Sequence, residues 1–147
     1  MINLTRGEIE AAVSDGVVRL LRETYGHGPL MVRACLLGNH LTITAEGVLT
    51  TSEKHLLSHY GGHEDGHAAE LIRTVRRELF ATFQRDLTAI AEQCTGTPVV
   101  SIQDNLKCDY DVKVVTIMFA ECPQCRAART PRPKAHDSSQ ANGSSGA

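Results

Sequence analysis

The chain has 147 residues, 41% hydrophobic and 22% charged, with a formal net charge of -2; this is the size and balance of one globular domain with some chain to spare. That charge argues against a generic nucleic-acid binder, which carries a basic excess, and 4% aromatic residues with no Trp leave few platforms for stacking bases. No apolar run reaches the roughly 20 residues that span a bilayer, Met1-Ile2-Asn3-Leu4-Thr5-Arg6 lacks a signal-peptide layout, and five cysteines cannot all pair within one chain, so the expectation is a cytoplasmic, reducing setting without direct membrane insertion.

The first predicted helix opens at Thr5 and Glu8, spaced as a capping box. Ile9, Val13, Val17, Leu20 and Leu21 follow at steps of three and four, one helical face, until Tyr25-Gly26-His27-Gly28-Pro29 stops it. Residues 30–37 read as a strand, Gly38-Asn39 as a tight turn, and residues 41–45 as the antiparallel partner. Thr50-Thr51-Ser52-Glu53 looks like a second helix start, giving about two turns before Gly61-Gly62.

A long helix comes next, with a predicted apolar stripe of Leu71, Val75, Leu79, Phe83, Leu87, Ile90 and Cys94. Arg73, Arg76, Arg77, Glu78, Arg85 and Asp86 fall on its other, solvated side. After the break at Cys94-Thr95-Gly96-Thr97-Pro98, residues 99–103 and 112–120 form a second hairpin, joined by a polar loop over 104–111. The pattern helix–break–hairpin thus occurs twice. Neither copy can bury its stripe alone, so the two should share one core. The predicted class is α+β, a two-layer α/β sandwich of repeated helix–hairpin units (αββ-α-αββ) with a four-stranded antiparallel sheet. Residues 1–121 make the single domain, and residues 122–147, rich in Pro, Arg, Ser and Gly, a CxxC-bearing and mostly disordered tail from about Arg126 onward. The last strand is apolar on both sides, Val112, Val114 and Met118 against Val115, Ile117 and Phe119. Its second face needs a cover, either the connector helix or, as the favoured reading, a second copy in a homodimer.

Three groups carry possible chemistry. Cys122-Pro123-Gln124-Cys125 has the spacing of a zinc-chelating or redox pair. Such a pair supplies two of four zinc ligands, and an antiparallel hairpin returns it to the end where the long helix closes at Cys94. Cys94, Cys122 and Cys125 with a histidine are therefore the candidate zinc set, whereas Cys108, in the loop before the last strand, lies some 30 Å from Cys122 (about ten residues at 3.3 Å). The same cysteines also read as a buried stripe residue and two free thiols. His55, His59, His63 and His67 recur at four residues, but Gly61-Gly62 and Asp65-Gly66 interrupt them, so only His55 and His59 should share a helical face. Arg73, Arg76 and Arg77 could receive a carboxylate, a phosphate or an acidic partner surface, or simply pair with Glu70 and Glu78 in water. No nucleophile elbow, zinc-protease signature or phosphate-cradling loop is present.

The series Tyr25-Gly26-His27-Gly28-Pro29, Gly47-Val48-Leu49-Thr50 with Glu53, Arg76, Thr95-Gly96 with Val99-Val100-Ser101, and residues 115–119 resembles the bacterial MpsC-like family across roughly residues 5–121. The resemblance implies a small accessory of a sodium-translocating, membrane-potential-generating system whose large subunits resemble an ion-translocating respiratory subunit and a partner of inorganic-carbon uptake. It implies no catalytic residue. The leading expectation is therefore a non-enzymatic cytoplasmic interaction domain that docks on or regulates such a membrane complex. Behind it stand a zinc-binding or thiol-redox module built on the CxxC pair, and then a small enzyme using Arg76 and Asp104 where the two repeats join.

Overall fold

A computed structural model describes residues 3–128. Two copies of one motif meet edge to edge. Helix α1 (Arg6–Tyr25) leads into strands β1 (Met31–Leu37) and β2 (His40–Glu46), and helix α3 (His67–Thr95) leads into β3 (Val99–Lys107) and β4 (Val112–Phe119), with a short helix α2 (Thr51–His59) between the copies. The sheet order is β1-β2-β4-β3, antiparallel throughout. The second strand of each repeat therefore lies at the centre and the first at an edge, and the repeats join through β2 and β4, where Ile43 pairs with Val115.

The local signals behave as expected. Thr5 accepts from the Glu8 amide at 3.2 Å while Glu8 accepts from the Thr5 amide at 2.7 Å, a closed capping box that satisfies two free donors of the first turn. Thr50 caps α2 through the Glu53 amide at 3.2 Å. Both long helices stop at a left-handed residue, Gly26 and Gly96.

One layer is the sheet and the other is α1 packed beside α3. Ile9, Val13, Val17 and Leu21 from α1, Leu41 and Ile43 from β2, Val115, Ile117 and Phe119 from β4, and Phe80, Phe83 and Leu87 from α3 form a single core. Burying each such side chain contributes about 1.5–3 kcal/mol before chain entropy is subtracted. Gly16 lets the helices approach: a methyl there would stand 3.0 Å from the Ile90 side chain. The α+β class, the antiparallel four-stranded sheet and the repeated unit are as the sequence predicts.

Three expectations change. The stripe of α3 is rotated: Leu71 is 43% and Val75 58% exposed, whereas Ile72, Arg76, Phe80, Phe83 and Leu87 are buried. Successive steps of four advance a helix by about 40° each, so a line from residue 71 to residue 87 drifts about 160° and cannot stay on one face. The buried face instead alternates steps of three and four, through Ala69, Ile72, Arg76, Phe80, Phe83, Leu87 and Ala91. Second, β3 runs on to Lys107 rather than ending at Gln103, because Asp104 pairs with Lys113 at 2.9 Å and Leu106 is buried. A three-residue 3₁₀ turn (Cys108–Tyr110) completes the connection. Third, Arg126, placed by its composition in the unstructured tail, donates its amide to the Leu4 carbonyl at 2.8 Å and pairs with Glu8 at 3.6 Å. The remainder of that expected tail, 129–147, lies outside the described residues.

Helix α2 does not cover the outer sheet face. It lies beside α3, with Leu57 in the common core and Glu53 bonded to Arg76. The outer face keeps Met31, Leu37 and Met118 exposed, around half-buried Thr42, Thr44, Val114 and Thr116.

The link from β2 to α2 turns at Gly47, with φ +69°, and a methyl carbon there would sit 2.5 Å from Leu30 Cγ and 2.9 Å from Leu30 Cβ. A contact to Cβ cannot be relieved by a rotamer change. Gly47→Ala should therefore lower unfolding free energy by about 2–3 kcal/mol in urea titrations with an unchanged m-value; a loss below about 0.5 kcal/mol would contradict the packing described.

Candidate functional site

Below α2 lies a buried polar cluster that brings together residues distant in sequence. Arg76, on the core side of α3, is only 2% exposed. Its Nε donates to both oxygens of Glu53 at 3.2 and 3.0 Å, and its Nη2 donates to Glu53 Oε1 at 2.8 Å and to the Val48 carbonyl at 2.6 Å. Its guanidinium carbon stands 3.8 Å from the centre of the Tyr25 ring, a cation–π contact in a desolvated setting. Nη1 has no hydrogen-bond partner among the described residues. Only an arginine meets this arrangement, because a fork can engage carboxylate and carbonyl together while its plane stacks on the ring.

Asp111 holds the peptide that receives Arg76. The Gly47 amide donates to the Asp111 carbonyl at 2.9 Å, and the Leu49 amide to Asp111 Oδ1 at 2.7 Å. Lys54 of α2 pairs with the other carboxylate oxygen at 3.6 Å. The loop entering α2 is thereby fixed to the start of β4, and Val48 is held in reach of Nη2.

Lys113 forms the second half of the cluster. It points to the core side of β4 in phase with Val115, Ile117 and Phe119, is 2% exposed, and stands 4.8 Å from the Phe80 ring centre and 5.7 Å from that of Phe83. Its ammonium is 2.9 Å from Asp104 Oδ2, its ion-pair partner. Desolvation pulls its pKa below the usual lysine value, against the pull of Asp104 in the other direction. Burial pushes the Tyr25 hydroxyl above its usual value, and the adjacent Arg76 opposes that shift.

Two surface features adjoin the cluster. An apolar groove of about 300 Å³ runs between α2 and α3, lined by Leu56, Leu71, Ile72 and Val75 with Glu53 and Arg76 at its base. A smaller cavity of about 150 Å³ opens between α3 and the end of β3 and is lined by Arg73, Arg76, Arg77, Asp104, Asn105 and Leu106.

The three arginines predicted as an interaction group share this cavity but differ in role. Arg73 bonds to Glu64 and also stands 3.8 Å from Glu70; Arg76 is internal rather than on the solvated side; Arg77 is exposed. The predicted thiol set is not gathered in one place. Cys94 packs partly buried against the core, and desolvation raises its pKa. Cys122 and Cys125 are exposed and line a 400 Å³ cleft at the end of α3 with Thr95, Thr97 and Arg126. His59 and His67 stack edge-on against Tyr60, with ring centres 4.9 and 5.6 Å from its own, and all four histidines of the series are exposed. Among the described residues no three His, Cys, Asp or Glu side chains are grouped to hold a metal ion.

Tyr25, Glu53 and Lys113 are the site residues that spacing alone misses. A signal for Lys113 exists, since it is the one charge in phase with the buried side of β4. Tyr25, Val48, Glu53 and Arg76 all belong to the motif series quoted above, and here they converge on one contact. Comparison with known proteins supports that resemblance: the family model described as Na+-translocating membrane potential-generating system (MpsC) matches residues 5–121. No curated protein and no solved structure gives a significant match.

Lys113 and Tyr25 act in opposite directions on alkaline stability. Folded Lys113 releases its proton below the ordinary 10.5, so in that interval the unfolded chain holds more protons and stability rises with pH. Folded Tyr25 keeps its proton above the ordinary 10.0, so stability falls again beyond that point. Relative to Lys113→Met, the wild-type unfolding free energy should climb as pH approaches 10.5 in denaturant titrations. A flat or declining difference would contradict a desolvated lysine.

Proposed function

Because the chain belongs to the MpsC family of the Na+-translocating membrane potential-generating system, we propose that it is a non-enzymatic accessory subunit that binds a membrane-embedded subunit of such a system from the cytoplasmic side. Among the described residues no helix is long and apolar enough to cross a membrane, so the association is assigned to a surface. The observation that carries this reading is the second apolar face of α3. Leu71 and Val75 stand exposed beside Leu56, over a groove whose floor is the fixed Arg76–Glu53 pair. Exposed apolar side chains clustered over a rigid base are suited to receive an apolar helix or loop of a partner. Self-association is assigned to the other uncovered surface, the outer sheet face with Met31, Leu37 and Met118.

A zinc or thiol-redox role for Cys122 and Cys125 is the alternative, favoured by two exposed thiols at CxxC spacing on one cleft. Metal analysis after purification in zinc-containing medium separates the two: bound zinc lost in Cys122→Ser supports the alternative.

The test of the main reading is recovery of the family's multi-spanning subunit with the tagged chain in mild detergent. Leu71→Ser/Val75→Ser should reduce recovery about tenfold, equivalent to about 1.4 kcal/mol. Unfolding free energy should change by less than about 0.5 kcal/mol per substitution, since both side chains are exposed. Equal recovery with the double variant would contradict the assignment of the groove.

A further inference from the structure

The 150 Å³ cavity between α3 and β3 is lined by three arginines from little more than one helical turn, facing Asp104 and Asn105. Most of the charge there is already answered: Arg73 by Glu64 and Glu70, Arg76 by Glu53, and Asp104 by Lys113. Arg77 is the exception. It is exposed and has no ion-pair partner among the described residues.

A buried donor adds an independent observation. Arg76 lines the cavity and is almost wholly enclosed, yet its Nη1 has no acceptor among the described residues. Buried polar groups in folded proteins are paired in roughly nine cases out of ten, and an unpaired one costs about 1–3 kcal/mol. A buried cationic donor without an acceptor among the described residues, next to an exposed guanidinium without an ion-pair partner there and a side-chain amide, describes a place suited to an acceptor from outside the chain.

We infer that this cavity binds a small oxoanion, the size of inorganic phosphate or smaller, held by Arg77 and Arg76 with the Asn105 amide as a neutral donor. A water molecule could accept from one of these donors but would leave the Arg77 charge unanswered. An oxoanion offers several acceptors and the missing negative charge together, and guanidinium forks match its geometry. Lys113 keeps the Asp104 carboxylate from repelling the guest. The inference goes beyond the accessory role and does not depend on it, because the purified chain alone should bind.

Calorimetric titration of the purified full chain with inorganic phosphate, and separately with sulfate and acetate, tests the inference. One saturable site is expected for at least one of these anions, together with a rise in Tm as the anion is added. Arg77→Gln should weaken binding about tenfold or more, and Arg77→Lys should recover part of the loss, since charge is kept and the fork removed. Because Arg77 is exposed, both variants should unfold at the wild-type denaturant midpoint in the absence of anion. No saturable binding of any of the three anions up to about 10 mM, or binding equal in wild type and Arg77→Gln, would overturn the inference.

Discussion

The guanidinium of Arg76 is a full charge withdrawn from water, and the domain is arranged so that this can happen. Moving such a charge inside costs several kcal/mol unless hydrogen bonds and an opposite charge replace its hydration. Every replacement comes from a different segment: Tyr25 closes α1, the Val48 carbonyl belongs to the loop leaving β2, and Glu53 comes from the first turn of α2. One side chain of the second repeat is thus satisfied only when the first repeat and the connector are both in position. The sheet joins the repeats along β2 and β4, and Arg76 joins them again from the helix layer.

The rest of the surface follows from that placement. With Arg76 on the core side, the rotation of α3 is set, and Leu71 and Val75 turn outward over α2. Arg73 turns to Glu64, whose second oxygen accepts from the Asp109 amide at 3.0 Å, so the loop before α3 is tied to the turn before β4. Asp111 plays the matching part for the loop entering α2. Groove and cavity therefore sit on either side of one fixed residue. The residue between them is fixed by its hydrogen bonds to Glu53 and the Val48 carbonyl, and a fixed base is a condition for a preformed binding surface.

Much of this fold is legible in the residues. The capping box at Thr5, the Thr50 cap and the left-handed stops at Gly26 and Gly96 are local, and local signals survive folding. The two-sided pattern of β4 is also read correctly, because a period of two does not drift. What the residues hide is pairing at a distance. Leu71, Val75 and Leu79 make a good line of fours, yet a helix has 3.6 residues per turn, and Arg76 looks like a solvated residue until Glu53 and Tyr25 are beside it. Asp104 reads as loop because its partner Lys113 lies across the sheet, and the two together extend β3. The arginines are recognisable as a group by spacing, but which of them is internally bonded and which is free depends on acids three to twenty-three residues away. The thiols fail to gather for a similar reason: Cys94 lies on the core side of its helix end, whereas Cys122 and Cys125 stand outside it.

The accessory role proposed above calls for surfaces that hold their shape, and a buried ion pair locked to three segments supplies that. The most direct measurement of this claim is a double-mutant cycle of Glu53→Leu and Arg76→Met followed by equilibrium unfolding. Removal of Glu53 leaves the buried guanidinium unpaired and should cost about 3–5 kcal/mol, and the double variant should be more stable than the sum of the two losses by at least about 1 kcal/mol. Two small, additive losses, each below about 1 kcal/mol, would mean that Arg76 does not organise the domain.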